Sequence, residues 1–231
     1  LIIYSFNKSP VFYIWDGFSL KWYKKIFLSA AILEAFKNTF IIALTSVFLS
    51  LFFGILFVVG IVKKKCEGLL YIFYTSLLFP EIVLAVGLLS LFMFMVVPLG
   101  ITTLIVSHTL LGLAFAIPII HSRYKEIDYS LKEASFDLGA TQWQTFFKIT
   151  LPLLRPALFG AGLLVFIVSL DDFLISFFCS NVSSQTLSLY IFSIIKSGVS
   201  PVINAISVVM LLLTGVVVML LSYINTRVKI F

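Results

Sequence analysis

Between Asn38 and Val62 the chain runs for 25 residues without a single charged side chain. That stretch constrains the fold more than any other feature, because about 20 consecutive apolar residues are what a membrane-spanning helix requires. Four more runs of this kind follow, at Leu69–Val97, Ile101–Ile120, Ala157–Ser180 and Ile203–Ile224. Only 11% of all residues are charged while 61% are hydrophobic, including 25 Phe. A soluble domain of this size could not cover that much apolar surface with so few charges. The sequence therefore predicts an all-α integral membrane protein, folded as a single transmembrane domain over residues 1–231 with no separate soluble part. The opening "LIIYSFNKSP" is too short to span and reads as the last turns of an apolar helix. The expectation is five complete transmembrane helices plus the end of a truncated first one.

The runs are not uniform. Pro80 and Glu81 interrupt the second, which predicts a kinked or broken helix. Pro118 lies near the end of the third, and the fourth carries Asp171 and Asp172. Basic residues orient the set: Lys63, Lys64, Lys65, Arg123, Lys125, Lys132, Lys148, Arg155, Arg227 and Lys229 fall on one side by helix parity. Against these ten, Lys8, Lys21, Lys24, Lys25, Lys37 and Lys196 fall on the other, so the first side is cytoplasmic. The net charge of +6 thus reflects topology and not nucleic-acid binding. The cluster at Lys21–Lys25 sits in "FSLKWYKKIFLSAAILEAFKN" beside Trp22 and Tyr23. This is either a short interfacial helix or a solvated connector. Cys66 and Cys179 lack metal-ligand spacing and fall on opposite sides of the membrane, so no metal site and no disulfide is expected. His108 and His121 also lack a second ligand at helical spacing and read as packed residues. Gly160, Ala161 and Gly162 form a small-residue patch suited to close helix approach.

One polar segment stands out, "KEASFDLGATQWQTFFKITLP" over Lys132–Pro152. Ser130 and Glu133 have capping-box spacing, Gly139 marks a helix stop, and Thr141 with Gln144 makes a second box. Helix, Gly turn and helix should follow one another, the second helix ending before Pro152 and the chain entering the membrane at Pro156. Trp143, Phe146 and Phe147 on the second helix suit a partner's groove, or else a helix lying flat on the bilayer.

The segment resembles the cytoplasmic motif of MetI-like ABC-importer permeases: Glu-Ala-Ala, three residues, Gly, nine residues, Ile, any residue, Leu-Pro. Here it reads Glu133, Ala134, Ser135, Gly139, Ile149, Leu151 and Pro152, with Ala140 after the Gly; Ser135 in place of the second Ala is the one departure. The resemblance implies that a loop of about residues 121–156 docks on a separate ATPase, present in two copies, which holds the ATP and Mg; this chain itself would bind no cofactor and catalyse nothing. No phosphate-binding loop of the G-x-x-x-x-G-K-[ST] kind occurs in it. "YSFNKS", "WDGFSLKWY", "FPEIVLAVGLLSLF", "SLDDFLISFF" and "IKSGVSPVINA" are similar to one branch, the C-type permeases of spermidine/putrescine importers. Val202 departs from it, since relatives usually carry an acid after that Pro. That branch implies a second, related permease, an extracytoplasmic polyamine-binding protein, and a place in the bacterial cytoplasmic (inner) membrane.

Charge leads toward the same substrate. Glu81, Asp171 and Asp172 are the acids inside the predicted spans, and no Lys or Arg lies within the complete spans. An acid there costs at least about 2.5–3.5 kcal/mol and usually faces a cavity or a partner. Acids beside Phe173, Phe177 and Phe178 suit a polycation with apolar links, Asp172 first and Glu81 second. Alternatively Glu81 caps the helix break, and Asp171 or Asp172 bonds to backbone or to Ser169. Adjacent helical residues point about 100° apart, so both aspartates should not face one pore. Rival functions are import of another cation or an iron complex, and an ion-coupled secondary transporter that uses the three acids.

Overall fold

The computed structural model describes residues 1–11, 14–64, 67–198 and 201–228; Lys65, Cys66 and Lys229, invoked above, lie outside them. Helices dominate, and among the described residues extended pairing is limited to an isolated bridge between Asn7 and Phe18. In chain order the helices are α1 (Ile2–Ser5), α2 (Lys21–Leu28), α3 (Ala30–Lys64), α4 (Leu70–Ser76), α5 (Glu81–Phe94), α6 (Ile101–Glu126), α7 (Ser130–Asp137), α8 (Gln142–Thr145), α9 (Leu151–Asp171), α10 (Leu174–Cys179), α11 (Leu187–Ser197) and α12 (Val202–Val228).

Four segments are long and apolar enough to cross a membrane: Ala30–Val62, Ile101–Glu126, Gln142–Asp171 and Val202–Met219. A fifth is α4 with α5, which turn through 115° at the break before Glu81, so the second run is broken and not merely kinked. Pro80 cannot donate and disfavours helix at the residue before it, which fixes the break there.

Helices α3, α6 and α9 pack pairwise around Val58, Ile117, Ile120, Ala161 and Val165. Their close approach depends on small residues: a Cβ on Gly112 of α6 would clash with Ser50 and come within 2.8 Å of Val165 Cγ1. Ser50 Oγ donates across the same contact to the Thr109 carbonyl at 3.0 Å. In the Gly160–Gly162 patch, Gly162 lies against Leu51 and Ala161 is fully buried, whereas nothing stands within 4 Å of where a Gly160 Cβ would be. The patch therefore serves helix approach through two of its three members.

The fourth run differs from its expected boundaries. Helix α9 stops at Asp171 and a separate short helix, α10, follows, so the span ends there and Ala157–Ser180 is not one continuous helix. Polar side chains from other helices satisfy the backbone groups that the breaks release, as an apolar surrounding demands. Ser188 Oγ donates to the Asp172 carbonyl (2.7 Å), Thr103 Oγ1 to the Cys179 carbonyl (2.8 Å), and the Leu187 N–H to Thr39 Oγ1 (2.8 Å). Helix α2 does not lie with both aromatics at a free surface: Trp22 is buried and its Nε1 donates to the Asn7 carbonyl at 2.7 Å.

Candidate functional site

The polar segment forms two short helices joined by a turn at Gly139. Helix α7 ends in a Schellman motif, with Gly139 N–H on the Phe136 carbonyl (2.8 Å) and Ala140 N–H on the Ser135 carbonyl (2.9 Å). Gly139 takes φ +82, which this motif requires. The Thr141–Gln144 capping box is reciprocal: Gln144 N–H donates to Thr141 Oγ1 (3.3 Å) and Thr141 N–H to Gln144 Oε1 (2.8 Å).

Two expectations fail here. Ser130 is not the cap of α7: it is the first residue of the helix, Tyr129 precedes it without a side-chain cap, and the Asp128 Oδ1 accepts from the Ser130 N–H at 2.9 Å. A carboxylate is the stronger acceptor, and both the Ser130 backbone and hydroxyl hold its pKa below the usual value. Nor does the second helix stop before Pro152. It continues through a π-turn at Phe146–Thr150 directly into α9, and Gln142–Asp171 forms one span of 30 residues. The wider turn gives the proline ring room beside the preceding carbonyls, which is how a helix accommodates a residue that would otherwise break it.

Ser135, the departure from the motif, joins the two helices: its buried hydroxyl lies 2.8 Å from Thr145 Oγ1. Trp143 is 73% exposed, and Phe147 stacks beside it with ring centroids 6.1 Å apart. Leu138, at 89%, and Phe136 extend this apolar surface, and neither stood out in the sequence because each is an isolated apolar residue among polar ones. Phe146 is half buried against Phe147, while Glu133 and Ala134 are exposed and Ile149, Leu151 and Pro152 are partly covered. Lys132 Nζ donates to the Tyr124 hydroxyl at 2.9 Å and ties α7 to the end of α6.

The second cluster lies at the two helix breaks. Asp172 follows the last residue of α9, and its carboxylate caps α10, Oδ1 accepting from Ile175 N–H (3.2 Å) and Oδ2 from Ser176 N–H (2.8 Å). Its side chain is fully buried and pairs with His108 of α6, Nε2 to Oδ2 at 3.3 Å. The other ring nitrogen, Nδ1, lies 2.7 Å from Ser169 Oγ. His108 is thus a partner to an acid and not only a packed residue. Spacing along α6 could not reveal this, since the partner arrives from 64 positions further along the chain.

Glu81, the first residue of α5, brings a second carboxyl close to Asp172. Helices α5 and α10 run side by side and parallel, Cys179 Sγ reaching the Ala85 carbonyl at 4.0 Å. Two helix N-termini therefore converge where the two acids sit, and their aligned peptide dipoles favour negative charge there. Glu81 is exposed and lines a cavity of about 330 Å³ with Phe79, Leu84, Leu111, Ala114 and Phe115. Asp171 points elsewhere, into a groove between α9 and α12 beside Met210 and Thr214, so the two aspartates diverge as neighbouring helical residues should. Phe173 and Phe177 cluster with Phe192 of α11, at centroid distances of 4.9 and 6.1 Å. Among the described residues no group of three His, Cys, Asp or Glu could hold a metal ion, and Cys179 is buried and unpaired as a thiol.

The chain is a multi-pass helical membrane protein with one broken span and a folded polar turn between spans. The sequence profile of the binding-protein-dependent transport system inner membrane component matches residues 10–229, and the chain belongs to that family. Among its relatives, the spermidine/putrescine transport system permease protein PotC of Haemophilus influenzae is 36% identical over 233 residues, 98% of this chain and 90% of that one. The putrescine transport system permease protein PotI of Escherichia coli is 32% identical over 237 residues, 98% and 84% respectively. In fold, the chain is similar to a bacterial ABC transporter involved in the import of the acidic polysaccharide alginate, with a TM-score of 0.74 over 94% of this chain and 86% of that chain. At 17% identity, that likeness concerns the fold alone.

Proposed function

We propose that this chain is the permease subunit of an ATP-driven ABC importer for polyamines, spermidine or putrescine, in the bacterial cytoplasmic (inner) membrane. One observation carries the reading. The rigid turn around Gly139 offers an exposed aromatic surface, and the helix that begins in it runs unbroken to the acid cluster. A separate ATPase, in two copies and loaded with ATP and Mg, docks on Glu133–Pro152, and a second permease with an extracytoplasmic binding protein completes the importer. The names of the relatives support the substrate class. So does the chemistry of the cavity, where the Glu81 carboxylate stands among Phe79 and Phe115 and would take an ammonium group while the rings cover methylene links. Phe173, Phe177 and Phe192 offer a second aromatic surface of the same kind.

The test is purification of tagged, full-length protein from its own membranes in mild detergent. An ATPase and a second permease should accompany it, and spermidine with the binding protein should stimulate hydrolysis. Recovery of the chain alone, or uptake driven by an ion gradient without nucleotide, would overturn the proposal. Gly139→Val sharpens the test: the site has open space but φ +82, so the strain is conformational, about 1–2 kcal/mol. Stimulated hydrolysis should fall at least several-fold while the amount in the membrane holds.

A further inference from the structure

We infer that His108 is a positioning residue that holds Asp172 out of the transport pathway, so that the pathway presents one carboxylate in this state and two once α6 and α10 part. The inference rests on the reading of Glu81 and Asp172 as pathway acids. In this state the two acids are not equivalent. Glu81 is exposed on the cavity, whereas the Asp172 side chain has no accessible surface. Burying a carboxylate is costly unless every lone pair is met, and here each oxygen has its donors. Oδ1 takes the Ile175 N–H, and Oδ2 takes the Ser176 N–H and faces His108 Nε2.

The two backbone donors belong to α10 and travel with Asp172. His108 belongs to α6, so the contact between Nε2 and Oδ2 ties this acid to a ring nitrogen on a different element, whereas Glu81 of α5 brings a second acid to it. His108 is itself 1% exposed and fixed through Nδ1 by Ser169, while Ser176 Oγ approaches Nε2 at 3.5 Å. The ring therefore cannot follow Asp172 if the break between α9 and α10 opens. Separation exchanges a His108 partner for whatever cation the cavity holds, and the count of acids facing the cavity rises from Glu81 alone to Glu81 with Asp172. An ammonium group is held weakly in one state and strongly in the other by the same residues.

Two amide substitutions separate the halves of the ring. In His108→Gln the amide nitrogen reaches where Nε2 stands and can still donate to Asp172. In His108→Asn it stops near Nδ1, keeping Ser169 and losing Asp172. Each variant is made in the full-length chain in its own membranes. Asp172 reactivity toward an apolar carbodiimide is followed by peptide mass spectrometry, together with uptake of radiolabelled spermidine. Wild type and His108→Gln should be protected and should transport within about three-fold of each other, allowing for the imperfect geometry of an amide. His108→Asn should react at least ten-fold faster at Asp172 and lose at least ten-fold in maximal uptake rate. Equal carbodiimide reactivity in all three proteins would overturn the inference, as would His108→Gln behaving like His108→Asn while both accumulate in the membrane. Protection in the expected order without any polyamine uptake by wild type would instead sink the substrate reading and leave the brace standing.

Discussion

Gly112 sets the distance between α3 and α6, because a methyl group there would meet Ser50 and Val165 at once. Gly112→Ala should destabilise the protein by about 1–3 kcal/mol, the usual consequence of overpacking a filled interior. Thermal unfolding in detergent reads this directly, and Ser50→Ala combined with it should recover part of the loss. An unchanged midpoint for Gly112→Ala would mean that the helices have slack. Residues of this kind were poorly legible in advance: the three small residues at Gly160–Gly162 drew notice as a cluster, while Gly112, isolated in sequence, governs a tighter contact. The same holds for the acids. Their presence in apolar runs marked Glu81, Asp171 and Asp172 as exceptional, yet nothing local distinguishes the buried Asp172 from the exposed Asp171. That distinction comes from which helix face meets α6, and α6 is more than 40 residues away in the chain.

At the scale of elements, caps and breakers were the legible part. The Thr141 box, the Gly139 stop and the break before Glu81 all follow from local chemistry. The helix that passes through Pro152 did not follow, because a π-turn depends on what the wider turn packs against. The start of α7 was placed on Ser130, while Asp128, two residues earlier, provides the acceptor. Its depressed pKa has a consequence with a definite sign. A group whose pKa is lowered by folding contributes its stabilisation above its ordinary value, about 3.9 for Asp, and loses it as pH falls through the lower folded value. The protection factors of the Ser130 and Leu131 amides should therefore hold from neutral pH down to the acid range and fall only below about pH 4. Asp128→Ala should lower these protection factors throughout; indifference of these amides to that substitution would assign the acceptor elsewhere.

For the whole molecule, the basic residues lean toward one side, and that lean gives a prediction for orientation. In a protein carrying Trp143→Cys, an impermeant thiol reagent should label inverted vesicles and not intact cells, and Ser193→Cys should show the opposite pattern. The reverse pair of results would turn the protein over in the membrane and put the Trp143 surface outside. The span count and the all-helical class were legible at this scale because hydrophobic length is additive along the chain. Where the broken halves meet was not, since convergence of α5 with α10 is a property of packing. The unbroken helix from Gln142 to Asp171 adds a mechanical consequence. Thirty residues make a lever about 45 Å long, and the Gly162–Leu51 contact lies partway along it as a natural fulcrum. A stiff arm turns angle into travel: from Gly162 to Asp171 the arm is about 14 Å long, and a tilt of about 15° about that contact displaces its tip by about 3.5 Å. Travel of that size matches the 3.3 Å between His108 Nε2 and Asp172 Oδ2, so rocking at the Gln142 end is coupled by geometry to the fastening of the acid at the other.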